Sequence, residues 1–285
     1  MSLLDIQDLS FAYGEKTIFQ HINYSLEPGQ ICCLMGPNGC GKSTLMDCIL
    51  GDHAPKTGQI LLEGKNIRDY KPKELATLLS YVPQVHERTF PYTVRQVVQM
   101  GRTPYCRFYG GVNEEDETIV DEALDLVDLL PLADQPYTQI SGGEMQLTLL
   151  ARAVVQDTPL ILMDEPTAHL DFRNELIFLQ MVVRLMEEKQ KAVFLATHSP
   201  NHAFYFENQN ADVTVAAMSR DRSRHDLLSV GRPREVLTEE NIKEIYGIRA
   251  KRMSHTDETF GTLTQIVPVC TCGSGKGKGR GAKLR

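Results

Sequence analysis

The stretch that decides the fold is GPNGCGKST at residues 36–44, which fits the phosphate-loop pattern G-x-x-x-x-G-K-[ST]. It lies between a continuously apolar run, residues 31–35, and a helical spacing of apolar residues that starts at Leu45. In such a loop, backbone N–H groups surround phosphates at a helix N-terminus, Lys42 can reach the β- and γ-phosphates and the Ser43 hydroxyl can bind Mg²⁺. The alternative, a Gly-rich turn from strand to helix that binds no ligand, would need neither Lys42 nor Ser43. The predicted nucleotide site comprises Gly36, Pro37, Asn38, Gly39, Cys40, Gly41, Lys42, Ser43 and Thr44.

A pair of carboxylates, Asp164 and Glu165, follows the apolar run at residues 160–163. At the end of a buried strand beside a phosphate loop, Asp164 could help position Mg²⁺. Glu165 points to the other side of the pleat and could act as the general base for an attacking water. A helix cap or solvated turn before Pro166 is the alternative, and the phosphate loop favours catalysis.

The segment Ser141-Gly142-Gly143-Glu144 opens a further helical apolar pattern. Ser141 and Glu144 have the spacing of a capping box, which explains those two residues without any ligand. Two successive glycines disfavour a helix start but let a phosphate approach bare N–H groups closely. The segment therefore predicts a second anion site.

The apolar patterns predict an α/β fold. Alternating apolar residues predict half-buried antiparallel strands at residues 4–9, 22–26 and 60–62. Continuous apolar runs predict strands of a parallel core sheet, covered on both faces, at residues 31–35, 160–163 and 192–196.

A segment of different character, about residues 86–152, predicts an inserted α-helical subdomain. Its apolar residues recur at helical spacing, Thr93 and Gln96 form a capping-box pattern, and Asn113 precedes an acidic helix start. The main domain is expected at residues 1–250. Residues 251–285 are expected to be a flexible C-terminal extension with a basic Gly/Lys tail.

The lengths of the apolar runs and the charge of the N-terminus indicate where in the cell the protein is expected. The chain has 285 residues, of which 42% are hydrophobic, and its apolar runs are far shorter than the roughly 20 residues of a membrane-spanning helix. The N-terminus has acids where a secretory signal would have basic residues, so we expect a cytoplasmic protein.

Charge is distributed unevenly. The net charge is −7, and it becomes −12 once the five basic residues of the segment Gly273–Arg285 are excluded. Such an acidic body argues against broad binding of nucleic acid. The tail could contact anionic lipid or RNA, but a flexible solvated end is the preferred interpretation.

Taken together, these motifs resemble the ATPase subunit of ABC transporters, over nearly the whole chain to about residue 250. The resemblance implies a P-loop NTPase fold of the ABC type, a mixed parallel core sheet with an N-terminal antiparallel β-subdomain and an inserted helical subdomain. In family terms, residues 36–44 resemble the Walker A loop, Gln84 the Q-loop, 140–146 the signature, 160–165 Walker B, 168–171 the D-loop and 197–198 the H-loop.

The resemblance also implies roles for single residues. Glu165, His198 and Gln84 would be catalytic, Tyr13 would stack on adenine, and Ser43, Gln84 and Asp164 would hold Mg²⁺. Ser141, Gly142, Gly143, Glu144 and Asp171 would contact ATP, the signature residues across a dimer. Taken singly, a residue such as His198 is more often a satisfied polar residue at a strand end, and one such as Tyr13 more often a packing aromatic. Their order and spacing favour the functional interpretation.

The sequence departs from the family pattern at four positions, none of which is among the residues expected to carry out catalysis. Glu144 stands where Gln is usual, Leu147 where a basic residue commonly follows, Ala168 where Ser is frequent and Ser199 where Asp often follows the His.

Several stretches resemble the importers of metal chelates, namely iron-siderophores, haem or cobalamin: residues 89–94, 100–105, 197–203 and 232–237. This implies a homodimer on the cytoplasmic face of the membrane, bound to integral-membrane permease subunits and served indirectly by an extracytoplasmic substrate-binding protein. Aromatic, Met and Arg residues between 88 and 108 predict the permease-binding groove, although about half of them could simply pack the helical subdomain. The alternative is a soluble ABC ATPase of cofactor assembly. The signature disfavours a small-molecule kinase. A repair ATPase is disfavoured because the sequence lacks the sustained heptads of a long coiled-coil insertion.

Overall fold

The computed structural model describes residues 2–84, 91–105, 114–168, 170–219, 226–258 and 261–272. The strands are β1 Leu4–Tyr13, β2 Lys16–Leu26, β3 Ile31–Met35, β4 Thr57–Leu62, β5 Lys65–Asn66, β6 Leu79–Val82, β7 Leu160–Asp164, β8 Ala192–Thr197, β9 Val213–Met218, β10 Leu227–Gly231, β11 Ile248–Asp257 and β12 Gly261–Thr271. The helices are α1 Lys42–Leu50, α2 Pro72–Leu75, α3 Val94–Gln99, α4 Glu114–Leu126, α5 Gly142–Val155, α6 Phe172–Lys189, α7 Pro200–Asn208, α8 Pro233–Val236 and α9 Glu239–Tyr246. Within these ranges, no helix has the length and apolarity to span a bilayer.

A six-stranded sheet forms the core, in the order β10-β9-β3-β8-β7-β6. β3 pairs in parallel with β8 and β9, and β7 pairs in parallel with β8 and β6. Every residue of β3, β7 and β8 is buried, as expected for strands covered on both faces. The predicted parallel core is confirmed, and the carboxyl ends of β3, β7 and β8 lie at one edge of the sheet.

A separate antiparallel sheet has the order β2-β1-β4-β5. Leu4 of β1 faces Leu26 of β2 on one side and Leu62 of β4 on the other. These side chains pack with Leu34 and Phe194 of the core sheet in one apolar cluster. The predicted antiparallel subdomain is therefore confirmed, and it covers one face of the core.

Helices occupy the described residues between β6 and β7. Thr93 caps α3 as predicted: its hydroxyl accepts from the Gln96 N–H at 3.2 Å, and the Gln96 side chain accepts from the Thr93 N–H at 2.9 Å. Arg102, in the 3₁₀ helix Met100–Tyr105, pairs with Asp116 of α4 at 2.7 Å and donates to the Val155 carbonyl of α5 at 2.9 Å. These contacts tie the 3₁₀ segment to both helices. Asn113 lies outside the described residues.

The C-terminal region differs from the expected flexible extension. β11 and β12 form an antiparallel hairpin, so the expected boundary at residue 250 falls inside β11. The side-chain amides of Asn201 and Asn208 on α7 each donate to and accept from the backbone of β12, at Ile266 and Thr264 respectively. The β-branched and apolar run at residues 262–267 was the signal for a strand. Residues 273–285 lie outside the described residues.

Candidate active site

The phosphate loop connects β3 to α1 at the carboxyl edge of the core sheet. Gly41 is the N-cap of α1 with a φ of 109°, a left-handed conformation that favours glycine. A Cβ at Gly36 would lie 2.6 Å from the Cys40 sulfur, so this position also needs glycine. The loop borders a cleft of about 290 Å³ lined by Ile18, Asn38, Gly39, Gly41, Lys42, Ser43, Thr44, Gln84 and Glu165.

Lys42 is nearly buried at the floor of this cleft. Its Nζ donates to the Gly36 carbonyl at 2.9 Å and lies 3.1 Å from Glu165 Oε1. The exposed fractions of the two charged side chains are only 5% and 11%. Because water screens a buried pair poorly, each charge strongly stabilises the other.

Glu165 brings the predicted catalytic residues together. Its Oε2 accepts from Gln84 Nε2 at 3.3 Å and lies 3.5 Å from His198 Nδ1. Its backbone is left-handed, with a φ of 42°, and its N–H donates to the Ala196 carbonyl of β8 at 2.9 Å. A left-handed conformation is costly for a non-glycine residue and is typical of functional sites. It places the carboxylate in the cleft, directly after the buried Asp164.

Asp164 carries an unsatisfied oxygen. The residue is 5% exposed, and among the described residues its Oδ1 is buried without a hydrogen-bond partner. Burial raises the pKa of this carboxyl, and the Ser43 hydroxyl partly offsets the rise. An orphaned carboxylate oxygen beside a hydroxyl matches the oxygen ligands that Mg²⁺ prefers.

Tyr13 lies at the end of β1 with 49% of its side chain exposed, as a stacking platform requires. Its hydroxyl hydrogen-bonds His53 Nε2 at 2.9 Å, and the His53 ring stacks on Phe11 at a centroid distance of 5.3 Å. Sequence reasoning missed His53 because the contact joins two distant segments without a local motif.

The segment 141–144 starts α5 and forms the capping box that was the alternative interpretation. The Ser141 N–H donates to Glu144 Oε2 at 2.7 Å, and the Glu144 N–H donates to Ser141 Oγ at 3.3 Å. The two glycines have different surroundings: a Cβ at Gly143 would lie 2.3 Å from Asn174 Nδ2, whereas a Cβ at Gly142 would meet no atom within 4 Å.

The structure does not bring every predicted site residue into the phosphate-loop cleft. Among the described residues, the lining of that cleft does not include the segment 141–144 or Asp171. Asp171 is instead the N-cap of α6, and its Oδ1 accepts from the Asn174 N–H at 2.8 Å. Leu147 is only 2% exposed, so core packing explains this departure from the family pattern.

Comparison with known proteins decides the family. A family model described as ABC transporter matches residues 19–168, which include the phosphate loop, the segment 141–144 and Glu165. The chain belongs to the ABC transporter family. ATP-binding subunits of ABC transporters are ATPases coupled to transport, so the predicted family, fold and enzyme class are confirmed.

This ABC ATPase resembles importer subunits along most of its length. It is 33% identical over 254 residues to the iron(3+)-hydroxamate import ATP-binding protein FhuC of Bacillus subtilis. That match covers 88% of this chain and 90% of FhuC. It is 32% identical over 268 residues to the molybdate import ATP-binding protein MolC of Haemophilus influenzae, and the match covers 93% of this chain and 96% of that protein. A solved structure of a metal-chelate type ABC transporter, in an inward-facing conformation, superposes with a TM-score of 0.80 and 31% identity, with 94% of this chain and 98% of that chain covered.

Proposed function

We propose that this ABC ATPase powers the import of a metal chelate, such as an iron-siderophore, haem, cobalamin or a related complex. It acts as a homodimer on the cytoplasmic face of the membrane, bound to permease subunits that receive cargo from an extracytoplasmic binding protein. The likeness of nearly the whole chain to FhuC and to the metal-chelate transporter supports this class. Cargo does not enter the ATPase cleft, so its identity depends on the permease.

The convergence of Lys42, Gln84 and His198 on Glu165 carries the catalytic part of the proposal. Lys42 binds the β- and γ-phosphates. Glu165 accepts a proton from the attacking water, while Gln84 orients that water and the His198 imidazole donates a hydrogen bond to a γ-phosphate oxygen. Tyr13 stacks on the adenine.

The residues around Asp164 fit a magnesium ion. Asp164, Ser43 and Gln84 offer a carboxylate, a hydroxyl and an amide oxygen, the ligand types that Mg²⁺ takes in phosphate sites. When bound, the ion neutralises charge on the phosphate oxygens. Calorimetric titration of Mg²⁺-ATP into Asp164→Asn should show weaker binding than titration into Asp134→Asn, whose side chain is 95% exposed.

Dimerisation completes the site in this proposal. Ser141, Gly142 and Gly143 lie outside the phosphate-loop cleft of their own chain, and the position of Gly142 is open. In a head-to-tail dimer, this helix N-terminus would face the γ-phosphate bound by the other copy. Glu144 supports the segment through its capping box, and Asp171 supports it through Asn174.

Sedimentation of Glu165→Gln tests the dimer directly. ATP and Mg²⁺ should shift the protein from monomer to dimer, and Gly142→Asp should abolish the shift because it places a negative charge against the γ-phosphate. Val230→Asp, which adds the same charge at an exposed position of β10, is the control and should still dimerise. Absence of any ATP-dependent shift would contradict the sandwich arrangement.

The permease-binding surface is proposed to lie on the described residues 91–105. Tyr92, Met100 and Tyr105 are each about two-fifths exposed. Arg95 instead pairs with Asp121, and Arg102 with Asp116, so these two arginines stabilise the helical subdomain. Arg88, Phe90, Arg107 and Phe108, which were predicted to contribute, lie outside the described residues.

Crosslinking tests the coupling to a membrane protein. Tyr92→Cys, Met100→Cys and Tyr105→Cys, in a background without other exposed thiols, should crosslink to a permease subunit in native membranes, in a pattern that ATP changes. Val230→Cys, at a similarly exposed position of β10, should not crosslink. If the first three variants hydrolyse ATP but do not crosslink, this surface is not the permease-binding surface: the coupling surface lies elsewhere, or the chain is a soluble ATPase.

A further inference from the structure

His202 is a buried histidine that none of the predicted roles uses. It lies in the first turn of α7 and is only 4% exposed. Its Nδ1 is 2.8 Å from Thr197 Oγ1, and its Nε2 is 2.7 Å from Glu175 Oε1 of α6. A buried imidazole with a partner on both nitrogens is fixed in position and orientation.

The surrounding contacts assign a direction to each hydrogen bond. The Ser199 N–H donates to Thr197 Oγ1 at 3.1 Å, which leaves the Thr197 hydroxyl hydrogen free to point at His202. A carboxylate can only accept, so the hydrogen of a neutral His202 lies on Nε2 and points at Glu175. Thr197 then donates to Nδ1, so both ring nitrogens of His202 have a hydrogen-bond partner.

This chain of hydrogen bonds holds the backbone on both sides of His198. Thr197 precedes His198 and Ser199 follows it, and the Thr197 hydroxyl joins the two flanking residues. The His198 side chain is 54% exposed, so packing alone does not fix it, yet its Nδ1 lies 3.5 Å from Glu165 Oε2. The geometry at Glu165 therefore depends on how the His198 backbone is held.

The other end of this series of hydrogen bonds is Glu175, at the start of α6. The Glu175 N–H donates to the carbonyl of Asp171, the N-cap of α6, at 2.9 Å. The His202 hydrogen bond lowers the pKa of Glu175, although burial opposes it, so Glu175 accepts as a carboxylate at neutral pH. Glu175 thus anchors His202 to the first turn of α6.

We infer that His202 is a positioning residue for ATP hydrolysis, which holds His198 against Glu165 through the Thr197 hydroxyl. It does not touch the nucleotide. The inference rests on the proposed role of His198 in the reaction. It adds a structural connection from the start of α6, through Glu175 and His202, to the γ-phosphate contact.

Two substitutions at His202 separate its two hydrogen bonds. In His202→Asn the amide oxygen can replace Nδ1 as the acceptor for Thr197, whereas in His202→Gln the amide can replace Nε2 as the donor to Glu175. Since the Thr197 contact is the one that positions His198, Asn should keep most of the turnover. Gln and His202→Ala should lower kcat by about ten- to a hundredfold, the usual effect of misplacing a reacting group.

The decisive experiment is a double-mutant cycle read by kcat and KM for ATP. His202→Ala should lower kcat with little change in KM, and should have no further effect in a His198→Ala background. Thr197→Val, which keeps the shape and removes the hydroxyl, should reproduce the loss even if His202→Ala fails to fold. Asn208→Ala is the matched control, because it removes a contact of α7 with β12 only and should leave kcat unchanged.

Three outcomes distinguish the possible failures. If His202→Ala lowers kcat by the same factor with and without His198, the residue acts elsewhere and the inference is overturned. Unchanged kcat in both His202→Ala and Thr197→Val overturns it as well. If His198→Ala alone leaves kcat unchanged, the proposed role of His198 fails first, and the inference fails with it.

Discussion

Lys42 and Glu165 form an ion pair across the cleft, with Nζ and Oε1 3.1 Å apart. Lys42 comes from the phosphate loop and Glu165 follows β7, so the parallel sheet brings together two residues 123 positions apart in the sequence. The pair places the proposed general base next to the ammonium group that is proposed to bind the γ-phosphate. It also means that Lys42 has a partner within its own chain, in addition to the Gly36 carbonyl.

The first prediction concerns binding. Lys42→Ala should weaken ATP binding by about 10- to 100-fold, because it removes charge-assisted hydrogen bonds worth roughly 1.5–3 kcal/mol. Equilibrium titration with a fluorescent ATP analogue measures the change. Lys56→Ala is the control, since the Lys56 ammonium donates to the Gly14 carbonyl at an exposed position, and the ATP affinity of this variant should be unchanged. Equal affinities of the two variants would remove Lys42 from the phosphate site.

A second prediction concerns stability at Asp164. Burial raises its pKa in the folded protein above the value in the unfolded chain. An acid with a raised folded pKa costs stability when it is ionised, and the cost disappears as pH falls through the folded pKa. Asp164→Asn should therefore unfold at a higher temperature than the parent at pH 8, with a smaller difference at pH 5. Thermal scans at the two pH values check this, and a lower unfolding temperature at pH 8 would contradict it.

The two glycines of the signature segment give a third prediction. Gly143→Ala should destabilise the protein by about 1–3 kcal/mol, the usual cost of overpacking, because its Cβ would lie 2.3 Å from Asn174 Nδ2. Gly142→Ala meets no atom within 4 Å and should leave stability nearly unchanged or slightly raised. Urea unfolding compares the two variants. Adding Asn174→Ala should recover stability in the Gly143→Ala background, and failure to recover would assign the damage to another contact.

A fourth prediction follows from Glu175, whose pKa is lowered chiefly by its hydrogen bond to His202. An acid with a lowered folded pKa stabilises the protein above its unfolded pKa, about 4.3 for Glu, and this contribution is lost as pH falls through the folded value. Glu175→Gln should therefore have a lower unfolding temperature than the parent at pH 7, with the difference shrinking below about pH 4. Glu187→Gln, at an exposed position of the same helix, should show no such difference. A difference that persists at low pH would mean that the charge of Glu175 is not its source.

Much of the fold could be predicted because the deciding signals are local in sequence. The continuous apolar runs at residues 31–35, 160–163 and 192–196 became β3, β7 and β8, since strands covered on both faces typically carry such patterns. The capping pairs at Thr93 and Ser141 were readable for the same reason, because both partners lie within one helical turn.

The features that could not be predicted depend on contacts between distant segments. The left-handed backbone at Glu165, the approach of Gly143 to Asn174 and the hydrogen bonds of His202 depend on how β7, α5, α6 and α7 pack together. The hairpin of β11 and β12 was missed because both strands are largely exposed, so the β-branched and apolar run at residues 262–267 is their main sequence signal. Of the described hairpin residues, only Ala250, Thr264 and Ile266 are buried, and two asparagines of α7 hydrogen-bond the backbone of β12.

Single-turnover hydrolysis by Glu165→Gln tests the central claim most directly. The variant keeps the phosphate loop and Lys42, so it should still bind Mg²⁺-ATP. It lacks the carboxylate that is proposed to accept a proton from water, so cleavage of radiolabelled ATP should slow by about 10²- to 10⁴-fold, the usual contribution of a general base. Near-normal cleavage in a single turnover, with ATP bound, would contradict the assignment of Glu165 as the base.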